Sequence, residues 1–429
     1  MNHFEARGGE LHCEDVPLAR IAEAVGTPVY VYSTATLERH LTVYQQAFAR
    51  HAKVLGEAKI AYALKANSNL SVLAVLAALG AGADTVSEGE IRRALKVGIA
   101  PGAIVFSGAG KTRQELQFAL TTGVGQINVE SEPELELLAE VAAAAGARPA
   151  VAIRVNPDVG AGAHAKISTG GADSKFGVSL GEAERLYAKA AATPSLNAVG
   201  LTCHIGSQIA DLSPLREAFA TLRGLVERLR GRGLVVERLD IGGGLAAPYF
   251  NLPEPPSPDD LADMTAEVLG GLGVELSLEP GRSIAANAGV LLSRVIHVHA
   301  RPDGPSFLVL DAAMNDQVRP ARYDAYHDIR PVKSPPDGAP LSPYDVVGPV
   351  CETGDTFARA RPLPPLARGD LVAFMSAGAY GAVMSSEYNT RPLAPEVLVR
   401  GDDVAVVRPR PTYEEMLARE PLAPWLAGG

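Results

Sequence analysis

The stretch "KIAYALKANSNL", residues 59–70, decides how this chain is read. Ile60, Ala61, Tyr62, Ala63 and Leu64 are apolar or aromatic, and Lys65 follows them directly. An unbroken apolar run of this kind predicts a strand covered on both faces. Its last residue is of a type rarely found fully buried. A lysine there needs a reason.

Seven further runs repeat the pattern downstream: "GADTVS" (82–87), "AIVFSG" (103–108), "INVES" (127–131), "PAVAIRVNP" (149–157), "AVGLTCHIGS" (198–207), "RLDIGGG" (238–244) and "VELSLEPGR" (274–282). Between them lie segments such as "EPELELLAEVAAAAG" (132–146) and "PLREAFATLRGLVERLRGRG" (214–233), with apolar residues at three- and four-residue spacing. Thr112 with Glu115, Ser131 with Glu134 and Ser179 with Glu182 fit a capping box, and Ser257-Pro258 fits a cap before a first-turn proline. Eight β-then-α units predict a closed (β/α)8 barrel over residues 36–286. An open doubly wound sheet is the competing architecture, and the count of eight favours the barrel.

Helical periodicity fades after residue 286. "GVLLSRVIHVHARPDGPSFLVLDAA" (289–313), "DLVAFMSAGAYG" (370–381) and "PEVLVRGDDVAVVRPR" (395–410) predict a β-barrel or β-sandwich domain over 287–429. Residues 1–35, with the strand-like "TPVYVYS" (27–33), are expected to join it. The proline-rich "PVKSPPDGAPLSP" (331–343) reads as an exposed loop.

The 429 residues carry a net charge of −10, with 47% hydrophobic and 21% charged residues. That describes a globular chain with a large core and without the basic surplus a nucleic-acid partner requires. The opening "MNHFEARGGELHCED" has no secretory pattern, and no run is long and apolar enough to span a membrane. Cys13, Cys203 and Cys351 are too dispersed for a disulfide framework or a zinc site, so no metal is expected and the expected setting is a reducing cytoplasm.

Barrels place their chemistry at the C-terminal ends of the strands. Lys65, Asp84, His204 with Ser207, Gly242-Gly243-Gly244, and the loop Glu279, Pro280, Gly281, Arg282 all fall at such ends. Loops after the seventh and eighth strands commonly hold phosphate, and three glycines let backbone amides close on an anion. Two motif matches are discounted. "GGGLAA" (242–247) mimics a dinucleotide fingerprint but runs into "PYFNLPEPPSP" rather than a helix, and "SGAGKT" (107–112) has Val105 where a P-loop needs its first glycine.

A phosphate site beside a buried lysine points to pyridoxal 5'-phosphate (PLP), whose aldehyde condenses with a lysine amine. PLP also needs a carboxylate opposite its pyridine nitrogen, for which Glu279 is available, and a ring neighbour, for which His204 is. Each residue has a structural alternative: a snorkelling lysine, a buried ion pair, a satisfied core histidine. The set together points to a site.

Over residues 62–392 the chain resembles the fold-type III PLP-dependent amino-acid decarboxylases, and among them the branch acting on diaminopimelate. The resemblance rests on "YALKAN", "RVNPDV", "SKFG", "CHIGSQI", "LDIGGGL", "LEPGRSI", "MNDQVRPARYDAYH", "VVGPVCETGD" and "MSSEYNTRP", in that order. It implies an alanine-racemase-like barrel with a β domain from both chain ends. It implies decarboxylation of meso-2,6-diaminopimelate to L-lysine, the last step of lysine synthesis. Lys65 would be the Schiff-base lysine, with Glu279 on the pyridine nitrogen and His204 on the ring. Gly242–Gly244, Glu279–Arg282 and Tyr380 would hold the phosphate. Arg282, Arg319, Tyr323 and Tyr380 would meet the substrate and its carboxylate, and Glu352 its distal amine. Cys351 would return a proton to Cα across a homodimer interface.

"TVSEGE" departs from the family with Glu88, which suits a helix start, and Glu90 is read as capping with Ser87; neither is given a catalytic role. Sibling decarboxylases of ornithine, arginine or carboxynorspermidine, an isomerase on the same barrel, and a catalytically silent PLP-binding regulatory protein are the competing readings. The glycine content of 160–177 fits a mobile lid, and the extent of its motion is not legible in the sequence.

Overall fold

The eight runs form eight parallel strands, and the last pairs with the first: Leu276, Ser277 and Leu278 lie opposite Ala58, Lys59 and Ile60. That closure rules out the open doubly wound sheet, which would leave two edges. The computed structural model describes residues 2–160, 170, 174–336 and 338–426. Much of the segment read as a moving loop, residues 161–169 and 171–173, lies outside the described residues.

The barrel strands are Ala58–Ala63, Gly82–Thr85, Ile104–Phe106, Gln126–Val129, Ala150–Arg154, Asn197–Thr202, Arg238–Asp240 and Glu275–Leu278. They belong to a compact unit of residues 36–248 and 252–286. Helix starts follow the local chemistry. Thr112 and Glu115 close a reciprocal capping box, as do Ser257 and Asp260, while Ser131 and Ser179 accept the amides of Glu134 and Glu182. The Glu134 carboxylate is diverted to the Glu130 amide at 3.1 Å and to Lys111 Nζ at 2.6 Å. Lys111 also donates to the carbonyls of Gly108 and Asn128, so the lysine of "GKT" is consumed in a buried structural network. The dinucleotide-like "GGGLAA" likewise opens no helix; the next begins at Pro258.

A second unit comprises residues 1–35, 249–251 and 287–429. Its nine-stranded sheet is organised on the long strand Gly289–His299. The first half of that strand pairs with Val29–Ser33 on one side and Leu371–Phe374 on the other. After a register shift between Val295 and His297, the second half pairs with Ser306–Leu310. Val29–Ser33 also pairs in parallel with Glu396–Arg400, so a strand from each end of the chain enters one sheet. Val29, Val31, Val290, Leu292, Val397 and Val399 pack against Leu18 and Ile21 of the helix Leu18–Val25 in its core. The two ends of the proline-rich segment are drawn into strands Ile329–Pro331 and Ser342–Val347, leaving 333–336 exposed between them.

Candidate active site

Lys65 lies two residues beyond the first barrel strand, in the short 3-10 turn Leu64–Ala66 rather than on the strand itself. Its side chain is 38% exposed, so the burial expected from the apolar run is not met. The run carries the backbone through the barrel wall and releases the amine at the C-terminal end. There Nζ meets Asp84 Oδ2 at 3.2 Å. Asp84 lies in register with Ala63 on the neighbouring strand, and its carboxylate is buried.

Glu279 follows the eighth strand, and Asp240 ends the seventh. Both are buried and close enough to influence each other's charge. Burial pushes both carboxyl groups above the usual carboxylate range. The charge of Asp84 adds to this, and Lys65 opposes it at Glu279. Glu279 Oε1 and Asp84 Oδ1 are buried and meet no N–H or hydroxyl donor among the described residues. Asp240 has no role in the sequence reading. Its signal is an acid inside the apolar run of a buried strand.

The glycine triplet is required by crowding. A Cβ on Gly242, Gly243 or Gly244 would stand 2.4, 2.2 or 2.4 Å from the backbone oxygens of Cys203, Glu279 and Gly206. Gly242 and Gly244 also take φ of 65° and 110°. Two of the three amides are already committed, Gly242 N to Asp240 Oδ1 at 2.8 Å and Gly243 N to His204 Nδ1 at 3.2 Å. The turn therefore brings backbone close to the site rather than presenting three unspent donors. Beside it, Arg282 Nε donates to Ser207 Oγ at 3.0 Å, which ties the Glu279–Arg282 loop to the loop after the sixth strand.

His204 accepts the Gly243 amide at Nδ1, so its ring proton sits on Nε2. Burial, with the charges of Lys65 and Arg154, holds it well below the usual histidine range, and the ring is neutral. Arg154 is itself paired with Glu130 at 2.9 Å, and Glu130 also accepts the amides of Gly108 and Gly177. This brace of three loops is absent from the sequence reading. Glu90 accepts the Val86 amide at 2.7 Å while Ser87 caps the Glu90 amide, and burial raises its carboxyl to about 7.

In the second unit, Arg319 opens the short helix Arg319–Tyr323. Its Nη1 donates to Tyr249 Oη and His327 Nε2, both at 3.1 Å. Cys351 and Glu352 lie exposed in the loop between strands Ser342–Val347 and Thr356–Leu363. The Cys351 amide is held by Asn389 Oδ1 at 2.9 Å, and the charge of nearby Glu352 raises the pKa of the Tyr388 phenol. Tyr388 and Asn389 belong to the quoted "MSSEYNTRP", which assigns them no role by itself. Tyr380, partly buried, holds φ of 55°, a strained value for a bulky side chain and of the kind that clusters at functional sites.

An amine at a barrel mouth, a neutral imidazole, a buried carboxylate with an unmet oxygen and a crowded glycine turn beside an arginine fit the needs of PLP: aldehyde, ring, pyridine nitrogen and phosphate. Residues 37–286 match the family model "Pyridoxal-dependent decarboxylase, pyridoxal binding domain", which places the chain among the PLP-dependent decarboxylases. The diaminopimelate decarboxylase of Pseudomonas aeruginosa is 50% identical over 99% of this chain and 100% of its own. The crystal structure of diaminopimelate decarboxylase from M. jannaschii in co-complex with L-lysine is 36% identical. It superposes with a TM-score of 0.93 over 99% of this chain and 98% of its own. That from Helicobacter pylori, complexed with L-lysine, is 39% identical, with a TM-score of 0.88 over 94% and 98%. The chain belongs to the diaminopimelate decarboxylase family, and its cofactor is PLP.

Proposed function

We propose that this chain decarboxylates meso-2,6-diaminopimelate to L-lysine and carbon dioxide, as the last step of lysine synthesis. The observation that carries the proposal is the 50% identity to a diaminopimelate decarboxylase across essentially the whole of both chains. PLP, when bound, supplies the sink for the electron pair left on Cα as carbon dioxide departs. Lys65 supplies the amine that holds it, oriented by Asp84 at 3.2 Å. Glu279, backed by Asp240, keeps negative charge at the buried wall where a protonated ring nitrogen needs a partner. Neutral His204 offers the flat face of its ring. Ser207, Gly244, Pro280, Gly281, Arg282 and Tyr380 take the phosphate, and Gly242 and Gly243, whose amides are committed elsewhere, let the backbone approach it.

Arg282, Arg319, Tyr323 and Tyr380 bind the substrate. The planar fork of Arg319 suits its retained carboxylate, and Glu352 suits the ammonium beside it. Cys351 returns a proton to Cα. The exposure of Cys351 and Glu352 supports a homodimer in which each subunit completes the other's site. No helix among the described residues is long and apolar enough to cross a membrane, and the three unpaired cysteines fit a cytoplasmic setting.

Two experiments test this. The PLP-loaded protein is offered meso-diaminopimelate, L-ornithine and L-arginine, with carbon dioxide and amines measured. Lysine formed from diaminopimelate alone is the expected result, and release from another substrate would overturn the roles of Arg319 and Glu352. Separately, Lys65→Ala and Cys351→Ala chains, each inactive, are co-refolded in equal amounts. Shared sites predict recovery of about a quarter of wild-type turnover, since half the dimers are mixed and each regains one site. No recovery on verified mixing would refute the cross-subunit arrangement.

A further inference from the structure

Arg319 is buried, yet among the described residues no carboxylate lies within ion-pair reach of it. Its partners are neutral. His327 Nδ1 lies 2.9 Å from the Met375 carbonyl, which can only accept, so Nδ1 carries the ring hydrogen. Nε2 then holds a lone pair, 3.1 Å from Arg319 Nη1. The Tyr249 hydroxyl accepts from the same Nη1 at 3.1 Å, its ring lies 5.6 Å from the guanidinium carbon, and it meets His327 edge-on at 6.3 Å. Both hydrogens of Nη1 are thereby used. Nε and Nη2, which form the side-on edge of the fork, have no hydrogen-bond partner among the described residues.

We propose that His327 and Tyr249 are positioning residues for substrate selection: they fix the Arg319 guanidinium through one nitrogen and present its Nε–Nη2 edge, with its charge uncancelled, to the carboxylate retained in the product. A carboxylate in place of His327 would hold the arginine as firmly but neutralise it. Two uncharged acceptors orient it and leave the full charge to the ligand, in a setting where a charged hydrogen bond is strong. The methylene stem of Arg319 leaves the guanidinium free to swing about several torsions, so orientation has to be supplied from outside the side chain. The inference rests on the reading of Arg319 as a carboxylate-binding residue.

The test compares L-lysine, which retains that carboxylate, with cadaverine, which lacks it, as ligands of the PLP-loaded enzyme by titration calorimetry. Wild type is expected to prefer L-lysine. His327→Leu should cut that preference about tenfold and raise KM for diaminopimelate more than it lowers kcat. His327→Gln, whose amide oxygen can replace Nε2 as acceptor, should restore most of the preference. Tyr249→Phe deletes one oxygen and no ring atom, and should act in the same direction by a smaller factor. It keeps the question decidable if His327→Leu fails to fold. If Arg319→Leu abolishes the preference while Tyr249→Phe and the His327 variants keep it, the positioning role is overturned. If Arg319→Leu leaves the preference intact, the fault lies with the reading of Arg319 itself.

Discussion

A Lys65→Ala chain is expected to lose turnover of meso-diaminopimelate by at least about 10³-fold, because the variant lacks the amine proposed to join the cofactor. Lys111 cannot replace it, since its amine is spent on Gly108, Asn128 and Glu134. The substitution also strands the buried Asp84 carboxylate, at about 1–3 kcal/mol to the unloaded protein. Lys65→Arg separates the two effects. It keeps a cation beside Asp84 and should recover the melting temperature, but a guanidinium does not condense with an aldehyde and turnover should stay lost. Turnover retained by Lys65→Arg would remove Lys65 from the chemistry.

Glu279→Gln is expected to lower turnover by about 10²-fold or more and to flatten the pH dependence of stability of the unloaded protein. Asp240 and Glu279 both titrate above their unfolded values in the folded state, burial being the main cause. Such groups contribute stability that is fully present below the unfolded carboxyl pKa and is lost as pH rises through the folded values. Wild type should therefore lose about 1–3 kcal/mol as Asp240 ionises between about pH 4 and about pH 6, and more at higher pH as Glu279 follows. In Glu279→Gln the new side-chain amide can donate to Asp240, which then ionises beside a neutral partner, and the slope should shrink. Denaturant titrations at several pH values decide it. Equal slopes in the two proteins would mean that Glu279 does not ionise with the raised pKa its burial implies.

The arrangement of the barrel was legible in the one-dimensional pattern for a simple reason. Strand burial on both faces and capping at helix starts are local rules, written in residues a few positions apart. Lys65, His204, the glycine triplet and Glu279 were visible because each is an odd residue type at the end of an apolar run. The chain alone therefore determined eight β/α units, a polar C-terminal rim and, through its ordered motifs, the family.

What local pattern cannot state is which buried groups face one another. Asp240 and Glu279 are 39 positions apart and influence each other only because the parallel strands that carry them are neighbours. Gly242 and Gly243 read as anion donors, but folding commits their amides to Asp240 and His204. Lys65 read as buried, since an apolar run tells nothing of the turn that follows it. Tyr249 lies 70 residues before Arg319, and nothing in "APYF" announces that its hydroxyl will hold a guanidinium. Closure of the ring, the proton inventory of the rim and the orientation of Arg319 are long-range properties. Only the tertiary structure decided them, because hydrogen bonds and charge couplings depend on distance in space and not on distance along the chain.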